Sequence, residues 1–358
     1  MSHEPIRPED GHGSAEVCDQ MTAASRHLPS NATSPLVSIS IPTFNAARWI
    51  KDCLASALAQ TYAPLEVLII DDASTDETVE LIRSVADERI RLQVNEENIG
   101  LARNWNKCIE VSRGDFIKFL FHDDILYPDC VGKMMRLLLS NENVGLVFSP
   151  RDVIVEGDPE SKLTRMWLQN WTTLHTRFRA IEPINCGREL FDQYLNGGLQ
   201  GNWIGEPSSV LIRKECFTRL GLFNPNLYQV CDVEMWLRIM LSYDIGFVPE
   251  KLTAFRFHSG STSFRNMASR RNFLDQLWLL ESLSHCNSFI SEYPEIERIR
   301  ALELLRLAKA FVLHPLAIGR WLRTDQLARQ GIRYLPRWTR SAAGYSARNL
   351  FRPGDRAR

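Results

Sequence analysis

The chain has 358 residues, of which 44% are hydrophobic and 24% charged, and its formal net charge is −1. That is enough apolar material for a large buried core, while the near-neutral balance excludes whole-molecule attraction to nucleic acid. The eight cysteines stand singly, with no Cys-x-x-Cys pair and no histidine at zinc spacing. This points to a reducing compartment and away from a structural zinc. No apolar run reaches the roughly 18 residues a membrane-spanning helix requires, and the first 34 residues hold no apolar signal-peptide core.

Residues 1–34, polar and rich in Gly, Ser and Pro, have the composition of a disordered lead-in. The run Leu36–Pro42 reads as a β-branched strand stopped by Pro42, and Ile50, Leu54, Ala57 and Leu58 give Ala46–Gln60 a helical period. A second strand is expected at Leu65–Ile70. Its loop Asp71-Asp72-Ala73 leads to Ser74 and Glu77, which read as a capping box for a helix through Val85. Arg91–Val94 reads as a short strand, Leu101–Ser112 as a helix, Phe116–Phe121 as a buried strand and Val144–Phe148 as another. Such alternation predicts an α/β fold with a mainly parallel sheet covered on both faces.

The second half is less periodic. Residues 151–200 read only as a loop-rich excursion over a sheet edge. After it come a strand at Ser208–Ile212, a helix at Lys214–Leu220 stopped by Gly221, and an amphipathic helix at Asp232–Leu241. Strands are expected at Ile245–Val248 and Leu252–Phe257, with helical periodicity from Ser263 onward and a boundary at 262.

Asp123 and Asp124 follow an apolar run and so fall at a strand's C-terminal end, where open α/β sheets place ligands. Acids there suit a divalent cation with oxygen ligands, which could neutralise a diphosphate. The competing reading is a cap on a helix beginning near Tyr127.

Taken together, several stretches resemble a known enzyme family. They are Ser38–Asn45, Leu58–Tyr62, Asp71–Asp76, Asn98–Asn104, Gly114–Ile117 and Asp232–Arg238. In this order they are similar to the inverting, non-processive, bacterial-type glycosyltransferases of family 2, with the nucleotide-sugar-binding fold called GT-A. The resemblance covers Val37–His258. It implies a glycosyltransferase domain at 35–262, with a nucleotide-binding half at 35–150 and an acceptor-binding half at 151–262. A helical, Arg-rich extension occupies 263–358.

The resemblance assigns the donor nucleotide to Pro42, Thr43, Asn45, Asp72, Arg103 and Asp123. A buried Asp acceptor can pair a base N–H, although Asp72 could equally be an Asx-turn residue and Arg103 a solvated helix residue. The family's metal motif, Asp-x-Asp, is matched by Phe121-His122-Asp123-Asp124, where the first acid has become Phe121. Asp124 is expected to ligate Mg²⁺ or Mn²⁺ and Asp123 to hold ribose or sugar hydroxyls, with the two roles exchangeable. His122 reads as packing. Asp232 matches the catalytic base, preceded by Cys231 where the family often has Glu, and Glu234 is the fallback. Glu206 is expected on an acceptor hydroxyl and His258 on the diphosphate or metal.

The implied reaction moves a sugar from a nucleotide-sugar donor, with UDP favoured, to a hydroxyl of a glycan or lipid-linked acceptor, as in cell-surface polysaccharide assembly. Processive synthases of the family carry Gln-x-x-Arg-Trp and membrane helices; this chain has neither. An alternative is a non-catalytic nucleotide-sugar-binding module, to which Phe121 and Cys231 lend support. A dinucleotide oxidoreductase would need Gly-x-Gly-x-x-Gly where Pro42–Asn45 stands.

Residues 315–358 carry ten arginines and no lysine, interleaved with Trp321, Tyr334, Trp338, Tyr345 and Phe351. That composition suits peripheral contact with anionic membrane on the cytoplasmic face of the inner membrane. A solvated helical tail or an oligomer contact is the competing reading. No nucleic-acid partner is expected, and the setting implied is cytoplasmic.

Overall fold

The computed structural model describes residues 34–227, 229–262, 264, 274–284, 293, 295–313, 319, 323, 331 and 333–340. Strand β1 (Val37–Thr43) leads to helix α1 (Ile50–Leu58), then β2 (Leu65–Asp71), α2 (Thr78–Arg83), β3 (Ile90–Val94), α3 (Leu101–Val111) and β4 (Phe116–Phe119). These are followed by β5 (Ile125–Leu126), α4 (Cys130–Ser140), β6 (Val144–Phe148), β7 (Arg151–Val155), α5 (Lys162–Trp171), β8 (Ile184–Asn185) and α6 (Gly187–Asn196). Next come β9 (Val210–Arg213), α7 (Lys214–Leu220), α8 (Cys231–Met240), β10 (Asp244–Phe247) and β11 (Thr253–Phe257). Helices α9 (Asp275–Ser284) and α10 (Glu295–Leu313) follow.

The main sheet has the order β3-β2-β1-β4-β9-β6-β10-β8. Strands β3, β2, β1 and β4 run parallel, β9 is antiparallel to both β4 and β6, and β8 is antiparallel to β10. A smaller sheet, β5-β11-β7, stands beside it. Register sets the site. Thr43 pairs with Asp71 and Asp71 with Val94, so the ends of three strands lie level. Phe119 pairs with Ser40, and the chain leaves the ladder after Leu120, whose N–H still donates to Ser40 O at 3.0 Å. Asp123 and Asp124 are thereby carried past the end of β4 to the start of β5.

Period-2 alternation divides each inner strand between two cores. Val67 and Ile69 pack with Ile39, Ile41, Leu54, Ile82 and Met134 on the α1/α2/α4 face. Leu68 and Ile70 pack with Trp105, Ile109, Phe119, Trp236 and Met240 on the α3/α8 face. The α/β architecture, with its mainly parallel sheet and helices on both faces, follows from strands that are apolar on both sides. Described residues of α9 and α10, among them Leu279, Leu283 and Ile296, enter the same core as α8.

Several local expectations are corrected. Ser74 is no helix cap: α2 starts at Thr78, and Ser74 instead donates through N–H and Oγ to the Asp71 carboxylate. Residues 151–200 are not mainly loop, because β7, α5, β8 and α6 occupy much of that stretch. Their periodicity is blurred by half-buried Trp and Arg, which pack stems and bury only part of themselves. Ser208 and Ser209 form a 3₁₀ turn before β9 rather than strand. The helix expected near Tyr127 begins only at Cys130, with Asp129 at its N-cap position, so neither Asp123 nor Asp124 caps it.

The described part of the C-terminal stretch bears on its aromatic residues. Trp338 is fully buried against Leu274, Leu277 and Leu307, and its indole N–H donates to Glu281 at 3.0 Å. Tyr334 lies 5.0 Å from the Trp278 ring. These two side chains serve protein packing, whereas Trp321, Tyr345 and Phe351 fall outside the described residues. Among the described residues no helix is long and apolar enough to cross a membrane.

Candidate active site

One group of candidate residues is built by loops after β1, β2 and β3. Asp72 N–H donates to Thr43 O at 2.8 Å, joining the first two loops. The Asp72 carboxylate accepts from Asn95 Nδ2 at 2.8 Å and from the N–H groups of Ile99 and Gly100 at 2.9 Å each. A carboxylate has about four acceptor positions, so Asp72 is nearly spent on its own chain. These bonds form a clasp that holds loop 95–100 and lets Gly100, at φ +88°, start α3. Asn104 reinforces it, donating to Ile70 O at 2.9 Å. Arg103, one residue earlier, is exposed on α3.

Pro42 and Thr43 are buried, and Asn45 is exposed. Asn45 adopts φ +48° and accepts from Thr75 N–H at 2.9 Å, while Ala73 adopts φ +59°. Left-handed backbone costs an Ala about 1–2 kcal/mol and an Asn less. Two such residues facing each other across one loop pair mark a shaped rim rather than an idle turn.

The Asp pair divides. Asp124 is fully buried, and its Oδ1 accepts from Arg256 N–H in β11 at 2.9 Å. Burial and then the neighbouring Asp123 charge push its carboxyl well above the usual range. Asp123 keeps a partly exposed carboxylate, whose Oδ2 lies 3.0 Å from His258 Nε2. Although burial acts to raise it, the His258 hydrogen bond and the nearby imidazoles hold Asp123 below the ordinary value. Asp124 thus braces the small sheet through Oδ1, while its Oδ2 has no hydrogen-bond partner among the described residues. Asp123 is the more exposed carboxylate of the two. His122 is half-buried, with Nδ1 3.4 Å from Pro42 O. Phe121, in place of an acid, packs its ring 4.9 Å from that of Trp105 at a tilt of 31°.

Around this pair lie residues that sequence reading missed. Trp49 packs its ring 4.3 Å from that of His258 and donates Nε1–H to Glu156 at 2.8 Å. Glu156 also pairs with Arg256 at 2.7 Å and Arg48 at 2.8 Å. Arg256 Nε in turn donates to Asp123 O at 2.8 Å. The signal was present in principle: Trp49 precedes α1, and His258 follows Arg256 by two residues just past the end of β11. Nothing local marked them as partners, because they meet only across 100 or more residues.

Asp123 and His258 offer one carboxylate oxygen and one imidazole nitrogen to a divalent ion. Among the described residues no three His, Cys, Asp or Glu side chains group to hold a metal. The donor set fits Mg²⁺ or Mn²⁺ only if phosphate oxygens and water fill the remaining positions.

A second group of candidate residues is built around Asp232 in the first turn of α8. It is 8% exposed, accepts from Val233 N–H at 2.7 Å, and accepts from Asn202 Nδ2 at 3.0 Å. Burial, with the charge of Glu206 adding to it, pushes the carboxyl up to about 7; the Val233 and Asn202 donors hold it from rising further. Glu206 forms an ion pair with Arg151, Nε to Oε2 2.6 Å and Nη2 to Oε1 2.7 Å. It is thus a fixed charge near Asp232 as well as a candidate hydroxyl contact. Glu234 fails as the fallback base: it is 1% exposed, pairs with Arg238 at 2.8 Å and accepts from Ser282 Oγ at 2.6 Å. Asn202 went unnoticed in the sequence because a single Asn in a Gly-rich stretch reads as a turn.

A bulky cation also links the two groups. Lys118 on β4 is fully buried and donates to Ser208 O and, at 3.1 Å, to Val210 O. Burial lowers its pKa. Ser208 Oγ in turn accepts from Phe121 N–H at 2.9 Å, linking the turn after Glu206 to the Asp pair.

Comparison with known proteins agrees with this geometry. The family described as Glycosyl transferase family 2 matches residues 38–193. An uncharacterized protein of Mycobacterium tuberculosis (strain CDC 1551 / Oshkosh) is 37% identical over 257 residues, covering 72% of this chain and 78% of the relative. In fold, the chain is similar to S. aureus TarS residues 1–349 in complex with UDP-GlcNAc (TM-score 0.55, 14% identity, 86% of this chain and 80% of that one). It is also similar to the mannosyltransferase PcManGT from Pyrobaculum calidifontis in complex with GDP-Man and Mn²⁺ (TM-score 0.53, 17% identity, 95% and 94%). With strand-end loops, an Asp–His pair and a buried helix-start Asp, the chain is a GT-A-fold glycosyltransferase and belongs to glycosyl transferase family 2.

Proposed function

We propose that the protein transfers a sugar, with inversion and without processivity, from a nucleotide-sugar donor to a hydroxyl of a glycan or lipid-linked acceptor. The observation that carries this reading is Asp232: a buried carboxyl raised to about 7 and held by Asn202. A general base works best when its pKa lies near the operating pH, and no structural duty consumes this one. Asp232 takes the proton of the acceptor hydroxyl as that oxygen bonds to the anomeric carbon. The bond from that carbon to the nucleoside diphosphate breaks on the opposite face. The leaving group carries away the electron pair, so inversion follows.

Asp123 and His258 would hold the divalent ion, Mg²⁺ or Mn²⁺, together with donor phosphates. When bound, that ion neutralises charge on the departing diphosphate. Loop residues Pro42, Thr43 and Asn45 border the nucleotide, with Asp72 shaping that loop from behind. UDP is the favoured nucleotide; that the similar structures carry UDP-GlcNAc and GDP-Man makes GDP the second choice. Cell-surface polysaccharide assembly at the cytoplasmic membrane face is the setting this chemistry suits.

Calorimetric titration with UDP and GDP, with and without Mn²⁺, followed by mass-spectrometric screening of UDP-, GDP- and dTDP-sugars for hydrolysis, tests the proposal. Metal-dependent nucleotide binding with donor turnover is expected. Binding without turnover by any donor or acceptor points to the non-catalytic module, and absence of nucleotide binding overturns both.

A further inference from the structure

Beyond the donor site, a cavity of about 230 Å³ opens at the C-terminal end of α6, lined by Arg177, Arg179, Gln193, Asn196, Gly197 and Trp203. We propose that it is an acceptor subsite for a sugar bearing an oxyanion, either a carboxylate or a phosphate ester. The proposal rests on the reading of Asp232 as the catalytic base.

The lining contains two guanidinium groups and no carboxylate. Among the described residues neither Arg177 nor Arg179 has an acidic partner, unlike Arg151, Arg238 and Arg256. Arg177 is nonetheless held in place. Its Nη2 donates to Asn170 O at 2.8 Å, and its guanidinium lies 5.3 Å from the Trp171 ring. Gly201, at φ +72°, passes so close that a Cβ there would come 2.4 Å from Arg177 Nη1. A pre-positioned planar fork with free N–H groups matches a carboxylate or phosphate in two-point contact. Trp203 supplies the apolar counterpart. Its ring packs 5.2 Å from Phe178 and 4.7 Å from Tyr194, and its indole N–H donates to Gln200 O at 2.9 Å. A braced, half-exposed indole beside amides such as Gln193 and Asn196 suits the apolar face and hydroxyl edge of a sugar ring.

The lining connects to Asp232 through Trp203 and its chain neighbour. Asn202, next to Trp203, donates to the Asp232 carboxylate, and the same side chain accepts from Ile204 and Gly205 N–H at 3.1 and 2.8 Å. Tyr194 lies between: its hydroxyl is buried without a hydrogen-bond partner. Burial and then the charge of Asp232 raise its pKa, while the charge of Arg177 opposes the rise. A buried hydroxyl left unpaired is unusual in a folded chain, and here it sits within electrostatic reach of both the base and the arginine. An acceptor whose anion rests on Arg177 and Arg179 would lie along the lining that leads to Asp232.

The test uses the full chain and four probes: a glucuronic-acid disaccharide, its neutral glucose counterpart, a glucose-containing phosphodiester and inorganic phosphate. Binding is measured by calorimetry in the presence of UDP and Mn²⁺. The wild type is expected to bind at least one charged sugar about tenfold or more tightly than the neutral one, as a charge-assisted two-point contact requires. The arm that wins identifies carboxylate or phosphate. Arg179→Gln, at an exposed position, and the double variant Arg177→Gln/Arg179→Gln should erase that preference. The thermal midpoint and UDP affinity of each variant report whether the fold survives. Equal affinity for charged and neutral sugars overturns the proposal, as does a preference that survives in the double variant. Inorganic phosphate binding as tightly as both charged sugars also overturns it, because a sugar subsite must gain from the ring. UDP binding and donor hydrolysis by the wild type stand apart from all these outcomes, so a failed subsite leaves the transferase reading intact.

Discussion

Asp72 and Asp232 are both buried carboxylates, 3% and 8% exposed, yet their surroundings differ sharply. Asp72 accepts from three protein donors on loop 95–100: the Asn95 side-chain amide and the N–H groups of Ile99 and Gly100. Asp232 has Val233 N–H and one Asn202 amide, with the negative Glu206 nearby, and its carboxyl rises to about 7. The lesson is that donors, and not burial alone, decide whether an acid is architecture or chemistry. A buried carboxylate given enough N–H groups stays bound to its own chain; one short of donors is available for a proton.

Replacing Asp232 gives the largest effect expected. Asp232→Asn should lower transfer about a thousandfold, within the range assigned to general-base loss, while UDP affinity is unchanged. Product chromatography checks the first and calorimetry the second; near-normal turnover would remove Asp232 from the base role.

Next is the Asp pair, where the contrast between a held and an offered carboxylate recurs within two residues. Asp123→Ala should weaken Mn²⁺-dependent UDP binding by about tenfold or more, since a charged ligand is lost. Asp124→Asn should change it little, because the buried group favours its neutral form. The reverse pattern in a titration would restore Asp124 as the ligand.

For Asp72, the expected loss is in stability first. Asp72→Ala leaves three donors unpaired at about 1–3 kcal/mol for such a buried group, and chemical denaturation should show a fall of about that size or more. Reduced UDP affinity should accompany it as loop 95–100 loosens. An unchanged midpoint would mean that the clasp does not matter.

The pH dependence is subtler. Asp232 must be ionised to accept a proton, so kcat/KM should rise with pH and level off above about 7. Stability runs the other way for this group. Its folded pKa exceeds the unfolded value of about 3.9, so its contribution is full below that value and is lost as pH rises through about 7. Thermal midpoints of wild type and Asp232→Asn should therefore diverge in favour of the variant across that window. Parallel curves would show that the carboxyl is not raised. Smallest of all should be the catalytic effect of Glu234→Gln: its pairing with Arg238 and Ser282 predicts lost stability, with kcat altered by a factor of about two or less.

Much of the scaffold was legible because its cause is local. Leu65–Ile70 is apolar without interruption, as a strand covered on both faces must be, and Lys214–Leu220 ends at a glycine in left-handed backbone. Residues 151–200 were not legible, since Trp167, Trp171 and Arg177 there pack through parts of their side chains and leave no clean period. The Ser74 misreading has the same origin: a capping-box spacing exists, but Asp71 competes for the hydroxyl and takes it.

By itself the sequence determined that Asp72, Asp123 and Asp124 follow apolar strands and that Asp232 and Glu234 open a helix. Only the tertiary structure decided what surrounds each one. Asn95 for Asp72, Arg256 for Asp124, His258 for Asp123, Asn202 for Asp232 and Arg238 for Glu234 are the partners it supplies. Except for Arg238, which is one helical turn from Glu234, they come from distant parts of the chain. A carboxylate's protonation and availability depend on donors and charges within a few ångströms, and that neighbourhood exists only once the chain has folded.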